Sequence, residues 1–139
     1  MVDLLAISKS IGTNFFNLIS KSKSSAYNYY CEESCLLFNG KEIRGKDNIS
    51  SFWESKDNIS YKGSGYDAQF IPGSSSWVTV VVLGTVKIDN SAILPFYSSN
   101  VVCVNTEERR GFIVNQTISI YEWCTIILFP SYVSQDHFY

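Results

Sequence analysis

Residues 76 to 90 read SWVTVVVLGTVKIDN, and no other stretch of the chain restricts the fold so tightly. Side chains on a strand alternate between two faces. Val78, Val80, Val82, Gly84, Val86 and Ile88 therefore share one face, and Trp77, Thr79, Val81, Leu83, Thr85, Lys87 and Asp89 share the other. The first set is apolar from end to end and the second is apolar in its middle. An antiparallel strand with one wet face alternates cleanly between apolar and polar residues, and this one does not. It needs cover on both sides of its sheet.

The first cover is supplied early. Leu4, Ile7, Ile11, Phe15, Leu18 and Ile19 recur at spacings of three and four, which predicts a helix from about Asp3 to Ser20 with one apolar stripe. The run KSKSSAYNYY interrupts the stripe, and Ala26 to Cys31 is expected to form a second short helix. In LLFNGKEIRGKDNISSFW, residues 36 to 53, Leu36 to Phe38 enter an Asn39-Gly40 pair. That dipeptide favours a two-residue hairpin because both positions accept positive φ. Lys41 to Arg44 is the returning strand and Gly45 ends it. A short helix follows, with Asp47 as its expected N-cap and Ile49, Phe52 and Trp53 facing inward.

The rest reads as strands. Ile59 and Tyr61 alternate, and Gly63 and Gly65 mark a bulge or bend. The Pro-Gly pair in IPGSSS makes residues 71 to 76 a loop. Residues 93 to 105, ILPFYSSNVVCVN, fit a strand neighbouring the long one, with Pro95 holding its start to an edge or bulge. In the last strand Phe112, Val114, Ile118 and Ile120 are expected on one face, with Ile113, Asn115, Thr117, Ser119, Tyr121 and Trp123 on the other. The second set mixes aromatic and small polar side chains, as protein interfaces do. The fold class is α+β: N-terminal helices packed on one face of a strongly bent antiparallel sheet, in a single domain spanning 1–139. A large apolar surface in water is unusual for a monomer, so a second sheet is expected to cover the outer face. Its docking residues are expected to be Trp77, Val81, Leu83, Thr117, Ser119, Tyr121 and Trp123.

Several function classes fall away. A net charge of -2 over 139 residues gives no clustered Lys and Arg for direct nucleic-acid binding or an anionic membrane. The start, MVDLLAISKSIG, fits neither a signal peptide nor a membrane span. A cytosolic or nuclear location is expected, where Cys31, Cys35, Cys103 and Cys124 stay reduced. Cys31 and Cys35 form one C-x3-C pair with no second pair, and His137 is the single histidine, so no metal and no cofactor are expected. The chain has no Walker-type loop, G-x-G-x-x-G or G-x-S-x-G. Tyr27, Tyr29, Tyr30 and Glu33 are the candidates if a small-molecule site exists, but aliphatic residues stand on the long strands where a base would sit, and no catalytic residue is expected.

The ordered set IGTNFF, LLFNGKEIRGKDNISSFW, VVVLGTVKIDN and TISIYEW resembles the nuclear transport factor 2-like family over nearly the whole chain. Phe38, Asn39, Gly40, Gly45 and Ile49 occupy its signature of strand, aromatic-x-Gly turn, strand, glycine and short helix. The resemblance implies a cone of helices on a bent sheet. It also implies one of two transport roles: the homodimeric import factor for Ran-GDP, or the small subunit of the heterodimeric messenger RNA export receptor. Asn39 stands where the import branch resembles an acid, Ser91 where it has a second acid, and Ser8 where it has an aromatic. FIPGSSS and GTVKID look closer to the export subunit, although Ser119 departs from the arginine common to both branches. The implied partners are a larger export-receptor subunit carrying a related domain and phenylalanine-glycine nucleoporins, with Ran on the import reading and a homodimer possible in isolation. The implied location is nucleus and cytoplasm, at the pore. An isomerase or dehydratase of the same fold is the third reading, and the apolar tail from Cys124 to Tyr139 is expected to be a further strand or a docking segment.

Overall fold

The structure is a computed structural model that describes residues 3–105, 107 and 110–121. Helix α1 (Leu4–Lys21) leads through a 3-10 segment (Lys23–Tyr29) into β1 (Tyr30–Phe38), β2 (Lys41–Arg44), helix α2 (Lys46–Glu54), β3 (Ile59–Phe70), β4 (Trp77–Ile88), β5 (Leu94–Asn105) and β6 (Arg110–Ile120). The strands form one strongly curved sheet in the order β2-β1-β6-β5-β4-β3, with the helices on one face. Neighbouring strands are antiparallel except β1 and β6, which pair in parallel, so the sheet is mixed where an antiparallel one was expected. That pair joins residues about eighty positions apart and leaves no mark in local periodicity.

Helix α1 starts where Asp3 Oδ1 accepts the Ala6 N–H at 3.0 Å, satisfying one of the donors a helix leaves open at its start. Its buried line is Ser8, Gly12, Phe15, Phe16 and Ile19, centred on two small residues that the apolar stripe passes over. They set the approach distance: a Cβ at position 12 would lie 2.6 Å from Val80 Cγ1. Beyond Gly12 the helix becomes aromatic. Phe15 meets Phe16, Tyr29, Tyr30 and Trp53 edge-on, with ring centroids 5.1, 5.3, 5.6 and 5.9 Å away. Pairs of that geometry add about 0.5–1.5 kcal/mol each beyond the area they bury.

The hairpin forms as expected, with φ 47° at Asn39 and 85° at Gly40, both in the left-handed region that a type I′ turn demands. The N-cap of α2 is Gly45 at φ 89°, not Asp47, which lies in the first turn. Gly45 N–H donates to the Ser34 carbonyl at 2.8 Å and its own carbonyl accepts from Ile49 at 3.0 Å. One glycine thus ends β2 and opens α2. The expected helix at Ala26 to Cys31 is instead the 3-10 segment, and β1 begins already at Tyr30.

A bulge lies between Gly63 and Gly65, where β3 bends against Gly84. A Cβ on Gly84 would lie 2.3 Å from the Lys62 carbonyl. A second bulge, at Val114, was not legible. Val101 pairs with Asn115 and Val102 with Ile113, so one residue is skipped and the parity of β6 reverses. Ile113 is therefore buried on the helix side with Gln116 and Ile118, and Phe112 joins the outer face opposite Cys103. This corrects the expected grouping of Phe112 and Val114 with Ile118.

Candidate functional site

Three places in this fold bear on function: the interior of the cone, the outer face of the sheet, and an open cleft of about 570 Å³ lined by Ile7, Ser10, Ile11, Asn28, Tyr29 and Arg110, in which no carboxylate stands among the described residues. The interior is closed. Phe16, Ile19, Phe38, Trp53, Ile59, Tyr61 and Phe96 are among the side chains around a slot of about 10 Å³, the lower limit for one water molecule. Beside it runs a directed chain of hydrogen bonds. Trp53 Nε1–H donates to the Tyr30 hydroxyl at 3.1 Å, that hydroxyl donates to Gln116 Oε1, Gln116 Nε2 donates to Asn100 Oδ1 at 2.8 Å, and Asn100 Nδ2 donates to the Val80 carbonyl at 3.1 Å. Every link is a neutral group, and each has the partner that burial demands.

That chain cannot serve as an acid or base near neutral pH. Burial pushes the Tyr30 hydroxyl well above its usual value of 10, and the Trp53 hydrogen bond offsets only part of the shift. Desolvation raises Tyr29 in the same direction. Among the described residues the buried polar ones are Ser8, Ser34, Ser50, Ser98, Asn100 and Gln116, with no carboxylate among them. Of the other enzyme candidates, Tyr27 is exposed beneath the Lys46 ammonium, 4.0 Å from its ring centre, and Glu33 is exposed on β1. They do not converge. Among the described residues no three metal-ligating side chains cluster, and Cys35 Sγ–H donates to Glu42 Oε1 at 3.3 Å. His137 lies outside the described residues.

Among the described residues no element covers the outer face. Val78, Val80 and Val82 are fully buried under the helices, whereas Leu83 is 45% and Trp77 37% exposed. Strand register arranges the outer side chains in rows. Leu83 stands opposite Tyr97, which stands opposite Ser119. Val81 faces Ser99, Ser99 faces Thr117, and Thr117 faces Leu37. Thr79, Val101 and Asn115 form the next row, and Trp77, Cys103 and Phe112 the last. Tyr121 stands at the end of β6, 44% exposed, with its N–H on the Pro95 carbonyl at 2.9 Å. Five of the expected docking residues, Val81, Leu83, Thr117, Ser119 and Tyr121, thus fall together. Trp77 lies at the opposite end of the same face, and Trp123 lies outside the described residues, as does the tail from Cys124 to Tyr139.

Charge is confined to the margin of this face. The outer side chains of β4 from 77 to 85, of β5 from 95 to 103 and of β6 from 112 to 119 carry none. Lys62, Asp67, Lys87, Glu42 and Arg44 all stand on the outer strands or at strand ends. A neutral, partly apolar centre with a charged rim is the anatomy of a protein interface. Sequence reasoning missed Tyr97 and Leu37, which complete the central rows. The alternation of Tyr97, Ser99, Val101 and Cys103 along β5 was there to find the first; nothing local marks the second.

Asn39 has a structural role here. Its Oδ1 accepts the Ile120 N–H at 2.8 Å, and its own N–H donates to the Ile118 carbonyl at 2.9 Å, so the hairpin turn holds the end of β6.

No protein-family model and no curated protein sequence matches the chain. Solved structures do match, at low identity. Nuclear transport factor 2 from Cryptosporidium parvum superposes with a TM-score of 0.73 at 19% identity, covering 84% of this chain and 93% of that one. Yeast UBP3-associated protein BRE5 gives 0.75 at 15%, covering 88% and 99%. The Candida albicans Mtr2–Mex67 M domain complex gives 0.68 at 14%, covering 86% and 96%. The fold is the nuclear transport factor 2-like fold. It is shared by transport factors and by enzyme-like proteins such as a putative scytalone dehydratase.

Proposed function

We propose that the chain is a non-catalytic transport factor, the small subunit of a heterodimeric messenger RNA export receptor. Its outer sheet face docks on the matching face of a related domain in a larger subunit, and the pair then offers apolar pockets to phenylalanine-glycine repeats of the nuclear pore. This role puts the chain in the nucleus and cytoplasm and at the pore. The observation that carries the reading is the charge-free centre of the outer face, where the row Leu37, Thr117, Ser99 and Val81 crosses four strands beside Leu83 and Tyr97. The Mtr2–Mex67 complex, in which a chain of this fold is held by a partner domain, supports the same arrangement.

The import reading requires acids at the positions of Asn39 and Ser91. Asn39 is instead engaged with Ile120, and the Ser91 hydroxyl accepts the Ile88 N–H at 3.1 Å. An enzyme requires an interior cavity with a base, and the interior is filled by neutral groups. The test is recovery of the tagged protein from its own cells, wild type beside Leu83→Asp. A large subunit with a related domain should copurify with the wild type alone, because burying a carboxylate in an apolar interface lowers affinity by roughly a hundredfold or more. Recovery of Ran instead, or equal recovery of the large subunit with both variants, overturns the reading.

A further inference from the structure

Among the described residues the sheet has two unpaired edges, and they are built differently. β2 is four residues long, and Lys41, Glu42 and Arg44 are charged, which is how short edges avoid pairing with other chains. β3 is twelve residues long. Lys62 and the bulge between Gly63 and Gly65 blunt its first half. Its second half, Gly65 to Phe70, has no lysine, no proline and one charge, Asp67.

Backbone parity in that half is fixed at its end. The Ile71 N–H donates to the Trp77 carbonyl at 2.9 Å, and hydrogen-bonded pairs alternate along an antiparallel ladder. Gln69, Asp67 and Gly65, opposite Thr79, Val81 and Leu83, thus turn their backbone groups toward β4. Tyr66, Ala68 and Phe70 turn theirs away from the sheet. The Ala68 N–H agrees, since its acceptor is the adjacent Asp67 carboxylate at 2.8 Å. Tyr66 and Phe70 flank Ala68 on the helix side and are 57% and 38% exposed, while Asp67 and Gln69 are exposed on the other side.

We propose that two copies of this chain join along the second half of β3, antiparallel, about a two-fold axis at Ala68. The segment is self-complementary in that register, whereas centring on Asp67 would oppose two carboxylates and centring on Gln69 would set Tyr66 against Pro72. Ala68 exchanges both backbone bonds with the partner's Ala68, and Tyr66 and Phe70 do so with the partner's Phe70 and Tyr66, forming two aromatic cross-strand pairs. Asp67 faces the partner's Gln69, so no like charges meet, and its carboxylate passes from the Ala68 N–H to an amide donor. Centring on Tyr66 would bring the bulge at Ser64 into the ladder, and centring on Phe70 would bring in Pro72, which has no N–H. The contact is short, and its dimer is a weak one. It is separate from the outer face, so a heterodimer formed there remains free to pair through β3.

Sedimentation velocity of the purified chain up to about 0.5 mM tests this. The wild type should pass from monomer to dimer with concentration. Ala68→Pro, which removes an N–H that β4 does not use, should stay monomeric. Gln69→Lys should tighten the dimer about fivefold by placing a cation opposite the partner's Asp67 twice, and Gln69→Asp should weaken it by a similar factor. Gln69 is exposed, so these two variants decide the matter even if Ala68→Pro fails to fold. Leu83→Asp should leave the dimer unchanged. A wild type that is monomeric throughout, a dimer indifferent to both Gln69 variants, or a dimer abolished by Leu83→Asp overturns the proposal; the last assigns self-association to the outer face.

Discussion

The two faces of β4 are both apolar in their middle and have opposite fates. Val78, Val80 and Val82 are sealed beneath α1, where Gly12 lets the helix approach, whereas Val81 and Leu83, one position along the same strand, remain at the surface. Hydrophobicity alone therefore does not decide burial in this chain. What decides it is whether another element of the same chain can reach the face. The helix side has α1 and α2; among the described residues the other side has only side chains, arranged in rows across the strands.

The sharpest way to break that comparison is the same substitution on each face. Val80→Asp puts a carboxylate against the closest point of α1 with no partner, and at about 4 kcal/mol or more it should prevent folding, visible as loss of a cooperative thermal transition. Leu83→Asp should leave the midpoint of that transition nearly unchanged, within about 0.5 kcal/mol, because its carboxylate stays in water. If Leu83→Asp destabilises as Val80→Asp does, the outer face is covered by the chain's own residues and the docking assignment fails.

The alternation that distinguishes these faces was legible in residues 76 to 90, and so were the α1 stripe, the Asn39-Gly40 turn and the Gly63/Gly65 bend. Each depends on residues adjacent in sequence. The parts that were not legible depend on neighbours distant in sequence. The parallel pairing of β1 with β6 brings Leu37 beside Thr117, and neither strand's pattern announces it. The bulge at Val114 reverses parity within a strand rich in apolar residues on both sides, so Ile113 and Phe112 exchanged faces without violating any local rule. Of the candidate docking residues, those on β4 follow from period two, whereas the face of Tyr97 on β5 is set by its pairing with Leu83.

A smaller effect sharpens the contrast on the helix side. The chain from Trp53 to the Val80 carbonyl is buried and complete, so Gln116→Leu removes the acceptor of Tyr30 and the donor to Asn100 together. About 1–3 kcal/mol should be lost in denaturant titration. The same chain sets a pH limit. The Tyr30 hydroxyl is held protonated in the folded state, so above pH 10 the unfolded chain releases a proton that the folded chain keeps. Its contribution is present in full below pH 10, and stability falls as pH rises past that value. Tyr30→Phe should be less stable at neutral pH and decline less steeply above pH 10, as followed by thermal melts.

The smallest effect is at Asn39, where the inner and outer faces meet at the end of β6. Asn39→Ala removes the acceptor for Ile120 and puts a non-glycine, non-asparagine residue at φ 47°, costing about 1 kcal/mol. Asn39→Asp keeps both the acceptor and a residue type tolerant of the left-handed region, so its stability should lie within about 0.5 kcal/mol of wild type. The pair separates two roles for one position. If only the hydrogen bond matters, Asn39→Asp behaves as wild type in partner recovery as well as in stability. If Asn39→Asp folds normally but gains binding to Ran-GDP in a pull-down, the side chain's neutrality is itself a determinant of partner choice.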